Sequence, residues 1–241
     1  MRLKERIAVV TGAGGGIGRE ICVSLAKEGA HVVLFGGNNM ENLQKTADLV
    51  TEYSECSIIA GDLTNDTVLD ECVETLLSEF DGVDILINNA GIACHVSVEE
   101  TEVELLDKIM NINFRAPYLL TKKLLPTLKK SDYATIINVA SVVAHLGYPM
   151  QSAYTASKHA LLGFSKALAN EVYEDGVRVH VISPGGVYTD MIKLTRPDLT
   201  PDGMTLPEEI AEIVIFLLTH RNNAVIDEII THRATKTPFL V

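Results

Sequence analysis

No run of about 18 consecutive apolar residues occurs in the 241-residue chain, so no stretch has the composition of a membrane-spanning helix. The opening MRLKERIAVVTG runs straight into strand-like sequence and leaves no room for an apolar leader with a cleavage site. Cysteine is sparse: Cys22, Cys56, Cys72 and Cys94 stand far apart with no C-x-x-C pair. That spacing argues against a zinc ribbon or a disulfide frame and points to free thiols in a reducing cytoplasm. Basic charge is also short, with a net charge of −12, which disfavours nucleic acid or an anionic membrane as partner. The one basic cluster, TKKLLPTLKK, interleaves Leu124, Leu125 and Leu128 at helical spacing and reads as a solvated helix face. His95, His145, His159 and His180 have no ligand spacing, so no metal is expected. His145 falls near the expected substrate mouth and reads as a loop histidine; Cys94 reads as packing. No repeat, low-complexity tract or linker interrupts the chain, and residues 1–241 are expected to form one domain.

What is present is apolar residues, 47% of the chain, in strand-length runs that alternate with helical stretches. IAVVT (7–11), HVVLF (31–35), CSIIAGD, VDILINNAG, ATIINVAS (134–141), VRVHVIS (177–183) and AVIDEII are the strand runs. Helices are expected through GIGREICVSLAKEG and near 40–53, 64–80, 152–174 and 207–219. The TEVE stretch at 101–104 has the pattern of a capping box opening a further helix. Short β-branched runs separated by helices imply a parallel sheet covered on both faces.

Two local features carry chemistry. TGAGGGIG (11–18) joins the first strand to the first helix, where Gly12, Gly14, Gly16 and Gly18 let the backbone approach a pyrophosphate at a helix N-terminus. Its T-G-x-x-x-G-x-G spacing departs from the usual dinucleotide fingerprint. YTASK (154–158) sets Tyr154 and Lys158 one helical turn apart on one face. An ammonium beside a phenol would lower the phenol pKa and make Tyr154 an acid/base group; the alternative is a surface tyrosine crossed by a lysine stem.

The motifs arrive in the order TGAGGGIG, Asp62-Leu63, NNAG (88–91), Asn113 in NINF, Ser141, YTASK and PGGV (184–187). In this the chain resembles the short-chain dehydrogenase/reductase family over nearly its whole length. The resemblance implies an α/β, doubly wound Rossmann fold with a mostly parallel seven-stranded sheet and helices on both faces. It implies transfer of a hydride between a nicotinamide and a carbonyl or alcohol substrate, in the manner of 3-oxoacyl or ketone reductases. A catalytically silent dinucleotide sensor on the same fold is the alternative. The catalytic set carried over is Asn113, Ser141, Tyr154 and Lys158, with Tyr154 as general acid/base and Asn113 acting through a water linked to Lys158. Cofactor contacts are expected from the loop (Gly12, Gly14, Gly15, Gly16, Ile17, Gly18, Arg19) and from Gly37 and Asn38. Asp62 and Leu63 would hold the adenine; Asn88, Asn89, Ala90 and Gly91 would line the channel. Pro184, Gly185, Val187 and Thr189 would meet the nicotinamide end, and Tyr154 and Lys158 the ribose.

The second strand ends in FGGNN, with no acid to bind ribose hydroxyls, and Arg19 offers a cation; this favours NADP(H) and leaves NAD(H) open. Met191, Ile192, Leu194, Leu146 and Tyr148 suggest a hydrophobic small-molecule substrate. The tail IDEIITHRATKTPFLV lacks the glycine-rich ending of the 3-oxoacyl reductases and casts doubt on their tetramer contacts. The 152–174 helix carries Ala153, Ala156, Ala160, Gly163 and Ala167 beyond what one buried stripe needs, so a homodimer or homotetramer is expected. Pro117, four residues after Asn113, removes the helical partner of the Asn113 carbonyl and is expected to free it for water.

Overall fold

In a computed structural model the chain is described for residues 1–195 and 200–237. Seven strands form one sheet: β1 (Ile7–Thr11), β2 (His31–Gly36), β3 (Cys56–Ala60), β4 (Ile85–Asn88), β5 (Thr135–Val139), β6 (Arg178–Pro184) and β7 (Glu228–Thr231). Their order is β3-β2-β1-β4-β5-β6-β7, and every neighbouring pair is parallel. The helices are α1 (Gly16–Lys27), α2 (Met40–Val50), α3 (Asp66–Glu79), α4 (Val103–Met110), α5 (Ala116–Leu128), α6 (Ser152–Val172), α7 (Asp190–Thr195) and α8 (Pro207–Thr219).

Strand alternation sorts the core into two layers. Ala8, Val10, Val32 and Leu34 pack with Leu25 of α1, Leu43 of α2 and Val214 of α8. Val9, Val33, Phe35 and Leu86 face the other way, against Leu69 of α3, Leu124 of α5 and Leu168 of α6. Both faces are covered, so the strands read as continuous apolar runs rather than as an alternating pattern. The architecture is an α/β Rossmann-type sheet whose order reverses between β1 and β4, the place where such sheets open a crevice at their carboxyl edge.

The expected capping box is corrected, and two further local features are set by the fold. No capping box forms at 101–104: α4 has Glu102 at its N-cap without a side-chain bond, and the Thr101 hydroxyl donates to the Ser97 carbonyl at 2.6 Å instead. The stretch from 103 to 128 is not one uniform α-helix but widens into a π turn at Asn111–Arg115 between α4 and α5. Pro117 sits in the first turn of α5, where a missing N–H costs least. The segment after Thr189 begins with α7.

Candidate active site

Four strand ends converge on a cavity of about 650 Å³ at the carboxyl edge of the sheet. The glycine loop leaves β1 with Gly12 in a left-handed conformation, φ +68°. A side chain at Gly18 would place its Cβ 2.2 Å from the Gly12 carbonyl oxygen, so only glycine lets α1 start so close to the loop. Gly15 is different. Nothing stands within 4 Å of where its Cβ would be, and it lines the cavity, so the missing side chain leaves room for a ligand rather than for packing. The Asn89 side-chain amide donates to the Thr11 carbonyl at 3.0 Å, and the Thr11 hydroxyl accepts from the Asn89 and Ala90 N–H groups, each at 3.0 Å. These bonds pin the end of β4 to the loop.

At the next strand end, the Ser141 hydroxyl donates to the Pro184 carbonyl at 3.4 Å and faces the Tyr154 phenol closely enough to favour its ionised form. Lys158, only 4% exposed, donates to the Val139 carbonyl at 2.8 Å, and its Nζ lies 5.9 Å from the centre of the Tyr154 ring. Burial lowers the Lys158 pKa to about 8. Burial also raises the Tyr154 pKa, with the Ser141 hydroxyl pulling it back down. The expectation that Lys158 would bring the phenol below its ordinary value is therefore corrected: desolvation outweighs it. Asn113 is fully buried, and its side chain is committed to structure. Its amide exchanges bonds with the Ile92 backbone at 2.8 and 2.9 Å and donates to the Ser157 hydroxyl at 3.0 Å. A Cβ on Gly91 would meet Asn113 Oδ1 at 3.3 Å and Lys158 Nζ at 3.5 Å, so these three groups converge.

Of the residues singled out from sequence, the cavity wall holds Gly12, Gly15, Gly16 and Ile17 from the loop and Asn89, Ala90 and Gly91 from β4. From the later strands come Ser141, Tyr154 and Lys158, then Pro184, Gly185, Val187 and Thr189. Gly14 instead presses on Asn42, and Gly18 packs against the loop. Asn88 is corrected: it points into the core, donating to Asn138 at 2.8 Å and Thr121 at 3.2 Å, and Asn89 takes the channel position. Asp62 accepts from the Thr64 hydroxyl and N–H in a tight turn beyond β3, and Leu63 packs below it. Gly37 stands in open space at the end of β2 and Asn38 is exposed beside it, whereas Asn39 caps α2. Arg19 spans from the Gly14 carbonyl at 2.6 Å to the Thr46 hydroxyl of α2 at 3.0 Å.

Tyr148, Ile192 and Cys94 supply apolar wall, while Leu146 does not; the side chains of Met191 and Leu194 lie outside the described residues. His145 bonds Glu228 at 2.6 Å, outside the cavity wall. Sequence reasoning missed Met204, Ile230 and the tail residues His232, Arg233 and Lys236, all of which border the cavity. No motif marks them; Ile230 and the tail arrive through the β6–β7 pairing, and Met204 through the bridge between Val187 and Thr205. Among the described residues, no group of three His, Cys, Asp or Glu could hold a metal ion, and no helix is long and apolar enough to cross a membrane.

Residues 6–200 match the family model described as short chain dehydrogenase. The chain is 35% identical over 202 residues to general stress protein 39 of Bacillus subtilis (strain 168), covering 83% of this chain and 70% of that one. It is 33% identical over 213 residues to D-beta-hydroxybutyrate dehydrogenase of Rhizobium meliloti (strain 1021), covering 87% and 83%. Its fold superposes on a metagenomic short-chain oxidoreductase in complex with NADP with a TM-score of 0.85 at 28% identity, over 98% of this chain and 100% of that one. A glycine loop that leaves room for a ligand, a serine–tyrosine–lysine group beside the end of β5 on the same cavity and this breadth of likeness have one reading: the chain belongs to the short-chain dehydrogenase family.

Proposed function

We propose that the protein interconverts a carbonyl and its alcohol, with Tyr154 as proton donor and acceptor. The observation that carries this is the placement of the Tyr154 phenol, the Ser141 hydroxyl and the Lys158 ammonium on one cavity wall continuous with the glycine loop. The loop, the β4 end and residues 184–189 would hold a dinucleotide, whose nicotinamide supplies or accepts the hydride when bound. Ser141 and Tyr154 donate to the substrate oxygen and orient it. A phenol held above its ordinary pKa is protonated at neutral pH and ready to give its proton in the reducing direction. The charge left on Tyr154 is then stabilised by the Ser141 hydroxyl and by the Lys158 ammonium nearby. Asn113 positions Ser157 and the Ile92 backbone beneath Lys158; its proposed catalytic part runs through its backbone carbonyl and a water, not its committed side chain.

NADP(H) is favoured over NAD(H). No carboxylate occupies 36–39 to repel a 2′-phosphate, and Arg19 sets a cation between the glycine loop and α2. Asp62 and Leu63 would border the adenine. The four free thiols fit a reducing, cytoplasmic setting, residues 1–241 are read as one domain, and the working form is read as a homodimer or homotetramer. The test is loss of reduced-nicotinamide absorbance with a panel of ketones, diketones and oxo acids. Tyr154→Phe is expected to bind NADPH normally while losing at least about a hundredfold in kcat, the lower end of general-acid catalysis. A variant that retained more than about a hundredth of the rate would remove Tyr154 from the role.

A further inference from the structure

The cavity wall carries a cation that the reaction outlined above does not use. Arg233 follows β7 and lies against Gly186, whose Cβ would meet Arg233 Cδ at 3.4 Å. The neighbouring Gly185 leaves room for the backbone of the same tail: its Cβ would stand 3.1 Å from the His232 Cα, and its N–H donates to the Thr231 carbonyl at 2.7 Å. The two glycines after Pro184 thus let the tail lie across the mouth of the site.

The Arg233 guanidinium is half-buried, and its one side-chain partner among the described residues is the thioether sulfur of Met204, at 3.2 Å. A thioether is a weak acceptor, and a guanidinium has five N–H donors to satisfy. Among the described residues, no carboxylate forms an ion pair with Arg233 or Lys236. The acids nearby are committed elsewhere: Asp190 to Lys193 at 2.9 Å, and Glu228 to His145 and Ser183, each at 2.6 Å. Arg233 and Lys236 therefore make a positive rim on a chain whose net charge is −12.

The rim lies at the wrong end for the cofactor's phosphates. Adjacent strands are ~4.8 Å apart, so the end of β6 is ~14 Å from the glycine loop after β1 and ~19 Å from the end of β2. It lies at the right end for the substrate. Ser141 bonds the Pro184 carbonyl, and the next two residues, Gly185 and Gly186, carry the tail with Arg233.

We propose that Arg233, supported by Lys236, receives a carboxylate on the substrate, so that the natural substrates are oxo acids and their hydroxy acids. This rests on the carbonyl-reducing reading given above and narrows its substrate class from hydrophobic ketones to acids with a short apolar body. The apolar side chains of Tyr148, Val143 and Ile230 would enclose that body.

The test compares a short oxo acid with its methyl ester, each followed by NADPH oxidation. The wild type should favour the acid by about tenfold or more in kcat/KM, the scale of one hydrogen-bonded charge pair. Arg233→Ala should lower the acid-to-ester ratio by about 10- to 100-fold, mainly through KM. Arg233→Lys should restore part of it, and added salt should raise KM for the acid more than for the ester. A wild type that prefers the ester, or an Arg233→Ala ratio equal to that of the wild type, overturns the proposal while leaving the reductase reading intact. Absence of turnover with acids, esters and neutral diketones alike would overturn the reductase reading instead. In that case, calorimetric titration of the oxo acid into the protein with NADP+ decides: tight binding weakened by Arg233→Ala upholds the anion site, and no binding removes it. Were Arg233→Ala to fail to fold, the wild-type preference and its salt dependence would stand as the deciding measurements.

Discussion

Lys158 is costly to the fold, and the proposed mechanism makes it necessary to the chemistry. It is 4% exposed and its ammonium bonds only the Val139 carbonyl among the described residues, so burial brings its pKa from 10.5 to about 8. Between those values the unfolded chain holds more protons than the folded one, and stability rises with pH. Below pH 8 the whole penalty applies, about 3 kcal/mol for a gap of this size. Lys158→Met is accordingly expected to gain most relative to wild type near pH 7 and to lose that advantage by about pH 10.5. Thermal melts across that range would expose an error as a difference independent of pH. The same titration should appear in catalysis. On the proposed mechanism reduction depends on the ammonium, so kcat/KM should be level below about pH 7 and fall as pH rises through about 8. The Tyr154–Lys158 pairing was legible from a spacing of four. The direction of the Tyr154 shift was not, because burial is a property of the assembled wall.

At the scale of elements, the glycine loop separates two roles that its sequence presents as one repeated residue. Gly18 is needed for packing, since any Cβ would collide with the Gly12 carbonyl, a backbone atom that cannot move aside. Gly15 has an extended backbone that any residue adopts and open space where its side chain would be. Gly18→Ala should therefore lose roughly 1–3 kcal/mol or fail to fold. Gly15→Ala should stay within about 1 kcal/mol of wild type yet bind dinucleotide at least about tenfold more weakly, since the methyl group intrudes on the cavity. Paired thermal melts and dinucleotide titrations would refute the assignment if the two variants behaved alike. The π turn at Asn111–Arg115 is a second such case. A proline at 117 was visible in the sequence, but how the chain accommodated it was set by Asn113, held between the Ile92 backbone and Ser157.

For the whole molecule, the outer face of α6 remains to be covered. Ala156, Gly163 and Ala167 are exposed, nothing lies within 4 Å of a Cβ on Gly163, and the half-buried Phe164 stacks on the exposed Tyr118 of α5, with ring centres 4.9 Å apart. Small residues flanked by aromatic ones let a second helix approach closely. We expect a homo-oligomer paired through this face, and Gly163→Glu should shift it toward monomer in sedimentation at micromolar concentration. A wild type already monomeric there would count against the pairing.

The sequence by itself determined the alternation of strands and helices, the parallel sheet and the family. The first two follow from composition and spacing within a few residues, and the family follows from the resemblance carried by the order of the motifs along the chain. Also legible were the residues that the fold brings to the cavity from the loop, NNAG, Ser141 and PGGV, each at or next to a strand end, and YTASK, marked by its helical spacing on α6. Only the tertiary structure decided which of two neighbouring asparagines faces the channel, because side chains alternate along β4 and only its register on β1 and β5 tells Asn88 from Asn89. It alone paired His145 with Glu228, 83 residues away, and brought Arg233 from an unmarked tail to the mouth of the site. Such contacts depend on which chain segments become neighbours after β6 and β7 pair, and a linear spacing carries no record of that pairing.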